Sequence, residues 1–403
     1  MQPVVLLVLA LSAPLAGALE LSEAERLAIE ADPTLIALSA RGEARTLDAV
    51  ADAQLPDPML QLGSQSVPLP EFDVRDEPMT QLQLGVEQRV PPRSLRDARA
   101  RRATADADGL ALEADARALS VRAAVRRAWV TALSLQRLTE LTEQRAALLT
   151  RYSEALDDGL QNGRVSQQAV LEGRSRAIRV QRELAQLHSR RAEQRARLAE
   201  RLPGITLPER LGDTALPDAA AIDLDGHPAV RAAAADLARA DADIAAAEAA
   251  FDPGWSWSVG LGQRIGTGPM GAPSDTLLNA RLSIDLPLFT ERRQSKRLEA
   301  ARHRHRAAAA GPVEAQRALE ARRASAQDAL EAFSELVVLY GDRVLPASEA
   351  AAEAARGKYR NGSIPLEDVL AAEIEVLDVR HERIEAALER DLARVELAYL
   401  GGL

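Results

Sequence analysis

Residues 161–171 read QNGRVSQQAVL and residues 360–370 read RNGSIPLEDVL, with the two Asn-Gly pairs 199 residues apart. Each pair closes a very long helical stretch. Gly163 and Gly362 can take the left-handed backbone that ends a helix. Ser166 or Ser363 then offers a cap, Pro365 suits the first turn of a following helix, and Glu367 and Asp368 are acids favoured at a helix N-terminus. Each stretch is therefore expected to be the tip of a helical hairpin, written twice in one chain.

Further landmarks recur in the same order. Asp32-Pro33-Thr34-Leu35 is echoed by His227-Pro228-Ala229-Val230 and Asp57-Pro58 by Asp252-Pro253, both at an offset of 195. Val90-Pro91 is echoed by Leu286-Pro287 at an offset of 196. Landmarks in order at nearly one offset indicate an internal duplication. Residues 19–204 form the first repeat and 227–403 the second, joined by a connector at 205–226 rich in Pro, Gly and Asp. Each repeat is expected to run as a helix (about 21–52, and 228–250), a β-hairpin (59–90, and 254–287), a very long helix, the tip, and a return helix.

The hairpins are read from alternation. Leu82, Leu84 and Val86 alternate with Gln81, Gln83 and Glu87; Trp255, Trp257 and Val259 alternate with Ser256, Ser258 and Gly260. Residues 278–286 repeat the pattern, and 59–67 show it more weakly. Period two means strands with one apolar and one polar face, and 9–11 residues is the length that crosses a bilayer when tilted. Loops near 68–78 and 266–276 join the strands, and Phe251, Trp255, Trp257 and Phe289 make a thin aromatic girdle around the second hairpin. Four strands cannot close a barrel, and open edges are not tolerated in lipid. Several chains must then share one barrel: two would make a small filled one, three an open lumen.

The helices fit this plan. From Pro91-Pro92 to about Asp157 there is no further Pro and Gly109 is the only Gly, a run of about 65 residues or about 100 Å. Val121, Val125, Ala128, Ala132 and Leu135 hold spacings of 4, 3, 4 and 3, a coiled-coil seam. The second repeat matches it from about 290 to 358, with a break expected at Gly311-Pro312 and a kink near Pro346. Aromatics make up only 3% of the 403 residues, which suits long helices more than bulky cores. A net charge of −10 argues against nucleic acid, and the absence of cysteine excludes disulfides and thiolate metal sites. Residues 1–18 read as a cleaved signal peptide ending in Ala16-Gly17-Ala18, although no Lys or Arg precedes the apolar run.

LPDPML at 55–60, EPMT at 77–80, the prolines after each hairpin and the two NG-x-x-x-x-x-V-L tips resemble the outer membrane factor family, the TolC-like efflux channels of Gram-negative bacteria. The likeness covers essentially the whole mature chain and rests on the ordered set in duplicate. It implies a mainly α fold with a β-barrel: a homotrimer sharing twelve transmembrane strands in the outer membrane lipid, above a periplasmic coiled-coil tunnel. It implies a passive conduit of a tripartite efflux system, docking a periplasmic adaptor (membrane fusion) protein and an inner-membrane pump of the RND type or similar. LPDPML and EPMT look most like the heavy-metal efflux branch. By the same resemblance Asn162, Gly163, Arg164, Val165 and Ser166, with Asn361, Gly362, Ser363, Ile364 and Pro365, form the adaptor-docking tips. Tyr359 and Asp368 match family gate positions. Two departures stand out: Ala371 replaces a second carboxylate, and Ala169 replaces the acid expected in the first repeat.

No phosphate loop, nucleophile elbow or HExxH motif is present, so no enzyme activity, cofactor or metal site is expected. His303 and His305 fall on different helix faces and make poor joint ligands. The basic runs Arg93 to Arg102 and Arg292 to Arg306 follow each hairpin, placed to touch lipid phosphates, to give the tunnel mouth a positive field, or to sit as solvated, paired faces. The competing class is a soluble periplasmic coiled-coil adaptor or scaffold, which has no need of four lipid-length strands in two matching hairpins.

Overall fold

The computed structural model describes residues 19–67, 79–213, 215–217, 223–265 and 275–403. The expected signal peptide, the loop at 68–78, most of the loop at 266–276 and part of the connector lie outside the described residues. The first repeat gives α1 (Leu21–Glu30), α2 (Pro33–Ala53), β1 (Met59–Gln65), β2 (Gln81–Val90), α3 (Arg93–Gln161) and α4 (Gln167–Arg201). The second gives α5 (Pro228–Ala249), β3 (Trp255–Arg264), β4 (Thr276–Ile284), α6 (Gln294–Ala308), α7 (Ala310–Leu339), α8 (Leu345–Arg360) and α9 (Leu366–Leu400), with a π-helical turn at Tyr340–Val344.

The single helix expected over 21–52 is two. The chain breaks at Asp32-Pro33, where Asp32 Oδ1 accepts the N–H groups of Thr34 and Leu35, each at 3.0 Å. That carboxylate caps α2 while Pro33 fills a position that needs no N–H donor. Arg117 of α3 grips the same carboxylate at 2.7 Å and holds its pKa below the usual Asp range. The proline distortions also fall upstream of where the sequence placed them. Pro312 cannot donate to the carbonyl four residues back, and the helix is interrupted at Ala309. Pro346 leaves the Asp342 carbonyl without its α-helical donor, and the π-turn around Asp342 absorbs the mismatch.

The chain forms two units, and each draws on both repeats. One comprises Ile36–Ala116 and Pro228–Arg317, and it holds the strands. They form one antiparallel sheet in the order β1-β2-β3-β4. The register puts Leu62, Leu84, Leu261 and Leu278 in one row across all four strands. The neighbouring row on the same face runs Leu60, Val86, Val259 and Ala280. Pleating turns Gln61, Gln83 and Asn279 to the other face, so the alternation read from the sequence is the face pattern of the sheet. Among the described residues no element covers the apolar face: Leu62 is 75% exposed and Leu84 51%. Trp255 and Trp257 lie on that face at the sheet's helix-proximal end, as expected for a girdle. Beside the sheet, Asp106 of α3 faces Arg45 of α2 and Arg239 of α5, and Arg102 pairs with Asp243 at 3.0 Å.

The other unit comprises Met1–Leu35, Arg117–His227 and Ala318–Leu403. Its core is the expected seam: Val121, Val125, Ala128, Ala132 and Leu135 are all buried. Leu21, Ala24 and Ala28 of α1 and Leu198 at the end of α4 pack on this seam around Trp129. A side chain of that size at full burial contributes about 3–5 kcal/mol against truncation to Ala. Nearby, His227 is buried against the Tyr399 ring, with Arg322 4.7 Å above that ring's centre. Burial pushes the His227 imidazole below its ordinary pKa.

Candidate functional site: the paired helical tips

Five residues join α3 to α4, and five join α8 to α9. Gly163 and Gly362 have φ of 65° and 69°, left-handed values that favour glycine. At the first tip the Gly163 N–H bonds the Leu160 carbonyl at 3.0 Å and the Arg164 N–H bonds Gly159 at 2.8 Å. At the second, Gly362 bonds Tyr359 and Ser363 bonds Lys358, both at 2.9 Å. This paired pattern is the Schellman motif, which satisfies the last carbonyls of a helix. Asn162 adds a side-chain bond to the Asp158 carbonyl at 2.7 Å.

Of the two cap candidates, only Ser166 serves. Its hydroxyl accepts the Ala169 N–H at 3.2 Å. Ser363 does not cap: Pro365 occupies the N-cap of α9, one position before the first turn where it was expected, and offers no side-chain acceptor. The offset of 199 explains this, since it maps Ser166 onto Pro365. Val165 is half-buried because Gly159 leaves a seat for it; a Cβ there would lie 3.0 Å from a Val165 methyl. Arg164, Ser166, Ser363 and Pro365 are exposed, and Ile364 is half-buried.

Both gate candidates are exposed. Asp368 stands in the first turn of α9 beside Glu367, and Tyr359 is 44% exposed. Among the described residues neither side chain has a hydrogen-bond or ion-pair partner. The tips themselves are brought together. Leu370 of α9 packs with Leu149, Leu156 and Val170 of the first hairpin, and Leu366 and Ile374 border them.

The sequence did not single out Tyr152. It is buried in that cluster, near enough to the Glu367 carboxylate to feel its charge. Burial first, and then the Glu367 charge, push the phenol up to about 12, so it stays a donor. Its place in the stripe Leu149, Tyr152, Leu156 was the available signal. Ion pairs also lock the two hairpins at equivalent positions with reversed polarity. Asp157 meets Arg174 at 2.9 Å, and their counterparts Arg356 and Glu373 meet at 2.7 Å.

Among the described residues no group of three or more His, Asp or Glu could hold a metal ion. His305 pairs with Asp241 at 3.0 Å and His303 with Arg306 at 3.1 Å. No helix among them is long and apolar enough to cross a membrane.

The chain is mainly helical, with two β-hairpins merged into a sheet whose apolar face is uncovered among the described residues, and with two apposed tips. Residues 223–403, which carry the second hairpin and the second tip, match the family model described as outer membrane efflux protein. The whole fold matches solved outer membrane proteins at low identity. The outer membrane protein VceC from Vibrio cholerae superposes with a TM-score of 0.77 at 20% identity, over 95% of this chain and 96% of that one. The outer-membrane channel OprN gives 0.77 at 21%, over 95% and 90%. The Campylobacter jejuni CmeC outer membrane channel gives 0.72 at 14%, over 95% and 86%. No curated protein matches the chain. The resemblance is borne out over residues 223–403, and so is the expected mainly helical fold with four strands.

Proposed function

We propose that this chain is the outer membrane channel of a tripartite efflux system, a passive homotrimeric conduit with a large periplasmic portion. The observation that carries the reading is the sheet. Its apolar face is uncovered across all four strands, and β1 and β4 each leave one edge unpaired. Hydrocarbon accounts for the face, and further copies account for the edges. Three copies give twelve strands and an open lumen lined by the polar face. The expected division into two repeats with a connector at 205–226 fits this plan, since each repeat supplies one hairpin and one tip.

In this reading the tips dock a periplasmic adaptor coupled to an inner-membrane pump of the RND type or similar. Tyr359 and Asp368, partnerless within one chain, find their partners in neighbouring protomers. The likeness of LPDPML and EPMT to the heavy-metal branch supports metal ions as cargo, with small toxic compounds as the wider class.

The test is the molar mass of the protein extracted from outer membranes, by light scattering with detergent subtracted. A trimer is expected. A monomer in the soluble periplasmic fraction would refute the conduit and restore the adaptor reading.

A further inference from the structure

Below the sheet, wholly within the unit that carries it, lies a cavity of about 1160 Å³. Its walls follow from helix periodicity. One stripe of α5, running through Asp243, Ala246 and Ala247 and continued by Ala250 just past its end, presents mostly methyl groups and so leaves room. The facing stripes are basic: Arg99 and Arg102 on α3, and Arg297 and Arg304 with Arg293 at the head of α6. Of the strand positions that line it, Glu87, Arg89 and Ser256 belong by the pleat to the polar face of the sheet, and Val90 and Trp255 to the apolar face.

The charges do not cancel. Six arginines and four acids line the space, an excess of two. Arg102 is taken by Asp243, and Arg89 by Glu87 at 3.6 Å. Among the described residues Arg99, Arg293, Arg297 and Arg304 have no ion-pair partner. Of the two acids that remain, Asp252 accepts the Ser94 hydroxyl. The side-chain oxygen of Gln294, which also lines the space, is buried without a hydrogen-bond partner. Four guanidinium groups without an ion-pair partner among the described residues surround one open space, in a chain whose net charge is −10, and form a local field opposite to that of the whole.

We propose that this cavity is an anion site: it holds oxyanion-bearing solutes, phosphate or carboxylate, through the free arginines and makes the conduit anion-preferring at the base of the sheet. Guanidinium groups pair with such oxyanions in bidentate fashion. The charged strand positions of the lining, Glu87 and Arg89, lie on the polar face, so the occupant is taken as a solute in the lumen, and the lipid arm of the test separates it from a headgroup. The inference rests on the conduit reading above.

The test uses the full mature chain in planar bilayers of zwitterionic phosphatidylcholine. The reversal potential in a KCl gradient gives the chloride-to-potassium permeability ratio, and inorganic pyrophosphate serves as the blocking anion. The triple variant Arg293→Gln, Arg297→Gln, Arg304→Gln is compared with the matching Lys variant. The wild type and the Lys variant are expected to be blocked by pyrophosphate. The Gln variant is expected to lower the permeability ratio by roughly tenfold and to escape the block. A Gln variant that conducts with an unchanged ratio and unchanged block would overturn the anion site and leave the conduit standing. A wild type that forms no conductance would overturn both. An effect that appears only when phosphatidylglycerol is added would assign the arginines to lipid and overturn the solute site.

Discussion

Gly362 offers a way to separate the turn from the partner it serves. Its φ of 69° is left-handed, and any L-residue there is strained by about 1–2 kcal/mol. A Cβ built on Gly362 meets nothing within 4 Å. The backbone cost is therefore the same for Ala as for Trp, because the larger side chain projects into open space. Both variants should lose about 1–2 kcal/mol in the tip, while the seam around Trp129 and the sheet are untouched, so trimer yield should hold. Efflux should not be equal. If an adaptor helix approaches this turn closely, Gly362→Ala should keep most export and Gly362→Trp should lose it. The assay is the minimum inhibitory concentration of exported compounds in a strain lacking its own channel, with outer-membrane protein levels matched by immunoblot. Equal export by the two variants, whether both high or both low, would refute close docking at this glycine and leave it a turn residue only. Gly163, with φ of 65° and the same open surroundings, should give the same contrast if both tips dock.

Other outcomes follow from the same geometry. Ser166→Ala should destabilise the first tip by about 1 kcal/mol, and Ser363→Ala should change stability little, since only Ser166 caps a helix; hydrogen exchange at the two turns reads the difference. Leu84→Arg on the apolar face should cost about 2–4 kcal/mol in a bilayer, while Gln83→Arg, one residue away on the polar face, should be tolerated; urea unfolding in lipid vesicles separates them. His227 is held neutral by burial, so the unfolded chain takes up its proton near pH 6.5 and the folded chain only at lower pH. The contribution of His227 is thus fully present above pH 6.5 and lost as pH falls toward the depressed folded value. Melting temperatures between pH 7.5 and 5 should show this loss, and His227→Gln should flatten it.

The features legible in the sequence are those set by local period. The strands carry alternation, and their register places each alternating residue on the face it was read for. The seam from Val121 to Leu135 carries the heptad spacing, and its residues are buried. The Asn-Gly tips carry a backbone requirement that few residues satisfy. What escaped was tertiary or asymmetric. The break at Asp32 was written as a cap followed by Pro, but the apolar periodicity on both sides reads as one helix unless Arg117 is known to hold that carboxylate. The approach of Glu367 to Tyr152 brings together residues of different repeats, and no local period reports it.

The duplication kept the backbone of the tips and let their chemistry diverge. Both turns share the Schellman bonds, yet their ion pairs are reversed, with the acid on the ascending helix at Asp157 and on the return helix at Glu373. The first turn carries a Ser cap and the exposed Arg164; the second carries Pro365, then Glu367 and Asp368 in the opening turn of α9. Charge does not sort them simply: Asp157 and Asp158 precede the first turn, and Lys358 and Arg360 end the helix before the second. Glu367 lies near Tyr152 of the first hairpin, whereas Asp368 has no partner among the described residues. A helical hairpin that docks against these tips meets the same backbone turn with a different order of charges. The backbone makes the two sites interchangeable in shape, and the side chains make them distinguishable.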